Sequence, residues 1–202
     1  MASQKYFKLP FKWQPSHNII TKSLLEYPSI INMIVCALVD KNIPVDTYMV
    51  APIESPETTT DKNMYTLYVS KNEISDKWVP VLVVVQETVD HVTMGETIKR
   101  CLLVYEERRI SPTVLIISLK DSLSVVDWGQ FDEEDAFFLQ KIQCSYWSEK
   151  CLVFFPNPLN DDSSVPSLTA FCQFISNTKK TFSSFQDIET GVISLTCKTA
   201  KP

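Results

Sequence analysis

The spacing of apolar positions changes period three times along the chain. Ile19, Ile20, Leu24 and Leu25 recur at helical spacing behind Ser16, an N-cap residue type, and Pro28 then opens a second helix through Ile31, Ile34, Val35 and Leu38. Each helix would lay an apolar stripe against a core. From residue 45 the period shortens to that of strands. VDTYMVAPI at 45–53, MYTLYVS at 64–70 and WVPVLVVVQET at 78–88 are rich in β-branched and aromatic residues, with the polar runs ESPETTTDKN and KNEISDK between them. These three segments predict a meander. In the third, Val81, Val83 and Val85 on one face and Leu82 and Val84 on the other are all apolar, which marks a central strand covered on both sides.

Helical spacing returns over residues 92–109, at Met94, Ile98, Cys101, Leu102 and Tyr105, and PTVLIISL at 112–119 reads as another buried strand. Strand, crossover helix and strand form a βαβ unit, so the fourth strand is expected to run parallel to the third. Residues 1–15, with Trp13, Pro10, Pro15 and two Phe, read as an extended arm. The expected organisation is one domain over 1–202: the arm, a core over 16–120 and a C-terminal extension over 121–202 packed on it. At 202 residues, 45% hydrophobic and 21% charged, the chain is long enough to bury its own core without staples.

That size changes the meaning of the six cysteines. Cys36, Cys101, Cys144, Cys151, Cys172 and Cys197 form no CxxC pair and mostly lie in apolar stretches, so they read as free buried thiols in a reducing compartment. The lysine-bearing start has no apolar signal region, and the longest apolar run, Val79 to Val85, is too short to cross a bilayer. The expectation is an intracellular protein, cytoplasmic or nuclear, with no membrane partner.

Charge narrows the partners. Nineteen Lys and Arg against 24 Asp and Glu give −5, and Arg100, Arg108 and Arg109 are the only arginines. A broad phosphate-binding face would need a basic excess, so a nucleic-acid partner is disfavoured, although a local basic patch is compatible with any net charge. Three glycines leave no P-loop and no GxGxxG turn. The two histidines, His17 near a helix start and His91 in the loop after the central strand, offer poor material for a Ser-His-Asp or Cys-His site, and no Cys/His spacing suits zinc. His91 stands next to Asp90 and reads as a surface residue. In DWGQFDEEDAFF at 127–138 the acidic residues Asp132, Glu133 and Glu134 lack calcium-loop spacing. They read as a solvated loop or, with Trp128 and Phe131 as anchors, as a docking site for a basic protein partner.

The segment VPVLVVVQETVDHVTMGETIKRCLLVYEERRISPTVLIISLK, supported by FFLQKIQCSYWSEKCLVFFPNPLND and PSLTAFCQFISN downstream, resembles the PD-(D/E)XK nuclease-like proteins expanded in early-diverging, Mucor-type fungi. The likeness covers about residues 60–180. It implies an α/β fold with a restriction-endonuclease-like core, a mixed central sheet flanked by helices in the order α-βββ-α-β, plus the C-terminal extension. It also implies that Trp147 belongs to the core. Activity in that fold needs two carboxylates and a lysine around Mg²⁺, with the second acid and the lysine on one face of the third strand.

By that likeness the acid position falls on Val84 and the lysine position on Gln86. Glu87 cannot substitute, because an odd offset from Val84 sends its side chain to the opposite face. Glu96 in the following helix is the candidate for a migrated carboxylate. Asp61, just before the second strand, is the candidate first acid, with Glu73 and Asp76 as turn residues leading into the third. Two readings stand open. One is a catalytically degenerate nuclease fold acting as a binding or scaffold module with no cofactor. The other is a working Mg²⁺-dependent nuclease using Asp61, Gln86 and Glu96. Valine cannot ligate a hard cation, and this weighs toward the first. The sequence carries no signature of an oligomeric state.

Overall fold

A computed structural model describes residues 18–53, 64–71, 78–120, 139–156 and 166–176. The elements follow in the order α1 (Asn18–Leu25), α2 (Pro28–Leu38), β1 (Tyr48–Ala51), β2 (Met64–Ser70), β3 (Val81–Gln86), α3 (His91–Arg108), β4 (Thr113–Ser118), β5 (Leu139–Ile142), β6 (Lys150–Phe154) and α4 (Ser167–Ser176). The arm, the acidic segment with Trp128, Phe131, Asp132, Glu133 and Glu134, and Asp61, Glu73, Asp76 and Cys197 lie outside the described residues.

The strands make one open, mixed, six-stranded sheet in the order β1-β2-β3-β4-β6-β5. β1, β2 and β3 form the antiparallel meander, with Tyr68 opposite both Val50 and Val81. α3 then crosses over, and β4 lies parallel to β3 with Val81 level with Thr113 and Gln86 level with Ser118. The chain beyond residue 120 does more than pack on a finished core. It supplies β6, parallel to β4, and β5, antiparallel to β6, so β4 is an interior strand.

The alternation within β3 splits the core in two. Val81, Val83 and Val85 join Leu115 and Ile117 under α1, α2 and α4, whereas Leu82 and Val84 join Val114 and Ile116 under α3. Every residue of β3 and β4 is buried, as expected for parallel strands covered on both faces. Removing a Val or Ile side chain from water contributes about 1.5–3 kcal/mol, so the apolar residues of these two strands add substantially to stability.

Local signals set the helix ends. Pro28 occupies the first turn of α2, where its missing N–H leaves no bond unmade. α3 starts with a capping box: the Asp90 carboxylate accepts from the backbone N–H groups of Val92 and Thr93, both at 2.9 Å, and the Asp90 N–H donates to Thr93 Oγ1 at 2.9 Å. His91 is therefore the first residue of α3 and not a loop residue. The capping geometry lets the helix begin earlier than the first apolar position indicates. The helix ends on Arg109, which adopts the left-handed conformation at φ 59°. No helix among the described residues is long and apolar enough to cross a membrane.

Candidate functional site

The end of β3 places Val84 and Gln86 on the face of the sheet that α3 covers, and neither side chain has measurable exposure. Val84 sits within the apolar cluster under α3. Gln86 extends the same face by one pleat repeat, roughly 7 Å further along the strand. Its Nε2 and Oε1 have no hydrogen-bond partner among the described residues. An amide buried this way costs about 1–3 kcal/mol, which most folded proteins avoid by pairing it.

Backbone and side chains close the strand ends around Gln86. Leu119 donates its N–H to the Gln86 carbonyl at 2.9 Å, and Lys120 donates to the Glu87 carbonyl at 3.0 Å. The Lys120 ammonium pairs with the Glu87 carboxylate, on exposed side chains where such a pair adds little. Ser118, buried and level with Gln86, donates its hydroxyl to the Lys120 carbonyl at 2.7 Å. On the opposite side of the sheet, Ser176 Oγ lies 3.0 Å from the Ser118 carbonyl and 2.8 Å from that of Cys172, which ties α4 to β4.

Beside Val84 the character changes. Tyr65 of β2 stands directly opposite Val84, packs on the α3-side cluster and donates its hydroxyl to Glu96 Oε2 at 3.3 Å. One helical turn further, the Arg100 guanidinium lies 3.8 Å from the centroid of the Tyr65 ring, and Arg100 is only 5% exposed. A partly desolvated cation–π contact of this kind is worth about 1–2 kcal/mol. Burial and the Glu96 carboxylate raise the Tyr65 phenol above its usual range, partly offset by Arg100 and Thr97. Tyr65, Glu96 and Arg100 thus form one polar cluster between sheet and helix.

The structure therefore sets one of the three proposed site residues, Glu96, over the face that carries Val84 and holds it with Tyr65 rather than leaving it as a solvated helix residue. Gln86 is on that face but fully enclosed. Asp61 falls outside the described residues. His91 lies exposed on the first turn of α3. Among the described residues no three His, Cys, Asp or Glu side chains are arranged to hold a metal ion. Among the described residues, the polar groups on the Val84 face include the neutral Gln86 amide and the Glu96 carboxylate, which accepts from the Tyr65 phenol.

The sequence reading passed over Tyr65 and Arg100 as participants. Glu96 and Arg100 at i and i+4 carry a visible helix-surface signal. Tyr65 does not, because its place opposite Val84 depends on the pairing register of β2 with β3. Comparison with protein-family models, curated proteins and solved structures found no match.

Proposed function

We propose that the chain is a degenerate nuclease-fold protein that works as a binding or scaffold module, built on a restriction-endonuclease-like core. The observation that carries this reading is the complete burial of Val84 and Gln86 at the strand end where that chemistry would need an exposed acid and a cation. The element order helix, three-stranded meander, crossover helix and parallel strand supports the fold assignment. The capture of Glu96 by Tyr65 supports a structural use of the polar residues that remain.

Nuclease assays on single- and double-stranded DNA and RNA with Mg²⁺ or Mn²⁺ test this reading. The expected result is no cleavage above background and no metal-dependent rise in melting temperature, since a metal that bound the native state would raise it. Metal-dependent cleavage lost in Asp61→Ala or Glu96→Ala would overturn the proposal and establish a nuclease with a migrated carboxylate.

A further inference from the structure

Two strands away from β3, the sheet of described strands ends on β1, which among them has a neighbour on one side only. Lys71 donates its N–H to the Thr47 carbonyl at 2.9 Å, and these two residues extend the β1–β2 register. In an antiparallel ladder the bonded pairs then alternate through Met49 and Ala51, so the N–H and C=O groups of Tyr48 and Val50 point away from β2. They meet no backbone partner among the described residues. Tyr48 is nevertheless 5% exposed and Val50 half-buried. Outward N–H and C=O groups along an edge strand are a template for pairing with a further strand.

Alongside this edge runs a cavity of about 380 Å³ between α2 and β1, within the size range of ligand sites, roughly 300–1,000 Å³. Ile31, Val35 and Tyr48 give it an apolar floor, while Glu26, Asp46 and Lys71 stand at exposed positions around it. Two carboxylates against one ammonium make the mouth acidic, in a chain whose net charge is −5. Asp46 is held there in the left-handed region at φ 64°, a conformation that Asp tolerates better than most residues. Pro44 and Pro52 bracket the strand, which restricts pairing to a short stretch and discourages open-ended aggregation.

We propose that the β1 edge captures a basic, extended peptide of a partner protein by strand addition, with a lysine or arginine side chain entering the α2–β1 cavity. The peptide backbone pairs with the outward groups of Tyr48 and Val50. Its alternate side chains face α2, so one aliphatic stem covers the floor formed by Ile31 and Val35 while its cationic tip reaches Glu26 and Asp46. This site is independent of the Val84 face, and its partner is defined by charge and by extended conformation.

The test is fluorescence anisotropy of the full chain with a labelled short peptide alternating lysine and valine, against a counterpart alternating glutamate and valine. The lysine peptide should bind about tenfold tighter or better, with affinity falling as salt rises. Val50→Pro removes an outward N–H without touching the β2 ladder, and it should abolish most of the binding. Glu26→Gln with Asp46→Asn, both at exposed positions, should weaken it several-fold and flatten the salt dependence. Amide exchange should slow at Tyr48 and Val50 when the lysine peptide is present, a readout that stands even if Val50→Pro lowers the melting temperature. Absence of binding, equal affinity for the two peptides, or unchanged binding by the folded Val50→Pro variant would overturn the proposal. So would self-association of the protein alone with protection of the same two amides, which would assign the edge to a second copy.

Discussion

Tyr65 on β2 and Glu96 on α3 share a hydrogen bond of 3.3 Å that crosses from sheet to helix beside Val84. The pair is coupled electrostatically as well as by contact: after burial, the Glu96 carboxylate is the largest influence pushing the Tyr65 phenol up. Replacing Glu96 with Ala should therefore lower the Tyr65 pKa, whereas Glu96→Gln keeps an acceptor and removes only the charge. Phenolate absorbance titrations, with Tyr65→Phe to assign the signal, measure this directly. Tyr65→Phe itself should cost about 1 kcal/mol in stability, since it removes one hydrogen bond and keeps the ring under Arg100. No change in the Tyr65 titration in Glu96→Ala would mean that the two groups do not interact in solution.

Gln86 gives the opposite kind of prediction. Its amide is buried without a partner among the described residues, so Gln86→Met, close in volume and free of polar atoms, should be neutral or stabilising by about 1 kcal/mol in chemical denaturation. A loss of more than about 2 kcal/mol would show that the amide is satisfied and structurally required. The same variant bears on the proposed function: a binding module with no chemistry at this strand end retains its interactions when the amide is removed.

The central elements were legible because their physics is local. The unbroken apolar run of β3, the helical spacing from Met94 to Tyr105 and the buried run of β4 each predict their element, and a crossover helix between two buried strands predicts the parallel pairing that is found. β5 and β6 were harder to read. Leu139–Ile142 is a short edge strand carrying Gln140 and Lys141, and Lys150–Phe154 gains its place only by pairing with β4, a contact across more than thirty residues. That Val84 and Gln86 share one face was legible, because a spacing of two along β3 fixes it. The cluster of Tyr65, Glu96 and Arg100 joins two elements whose relative register is set by the whole sheet. The end position of β1 among the described strands has no side-chain signature, because it depends on the pairing order of the whole sheet.

Thiol chemistry separates Cys36 from the other cysteines among the described residues. Cys36 is half-buried, whereas Cys101, Cys144, Cys151 and Cys172 are buried free thiols. Burial pushes the Cys101 thiol up to about 12 and raises those of Cys151 and Cys172 further, so their thiolates are scarce at neutral pH. In native protein an alkylating reagent should modify Cys36 well ahead of these three, as read by peptide mass mapping over time. After denaturation under non-reducing conditions, thiol titration should find all six cysteines of the chain free. Fast native labelling of Cys101 or Cys151 would indicate that α3 opens from the sheet, since both lie in the core between them.

Stability should fall at both ends of the pH range, through different residues. The Asp90 carboxyl is held below its usual value, first by the Thr93 backbone N–H and further by other groups at the α3 cap. A depressed folded-state pKa stabilises the native protein above the unfolded value, about 4, and that contribution disappears as pH falls through the folded value. Asp90→Asn retains an acceptor for the cap and cannot titrate, so the stability gap between wild type and this variant should shrink on acidification. Asp90→Ala should cost about 1 kcal/mol at neutral pH by exposing the unpaired first-turn N–H groups. At the alkaline end the sign reverses. Burial raises the Tyr48 phenol to about 12, and its hydroxyl donates to the Val79 carbonyl at 3.0 Å. Tyr68, buried with its hydroxyl on the Leu25 carbonyl at 2.8 Å, is raised further. These neutral phenols stabilise the fold fully below pH about 10, where unfolded tyrosine begins to ionise, and the contribution is lost as pH rises toward the folded values. Denaturation midpoints measured across that window should drop for wild type and drop less for Tyr68→Phe. Equal alkaline slopes in the two proteins would show that Tyr68 ionises as freely in the native state as in the unfolded chain.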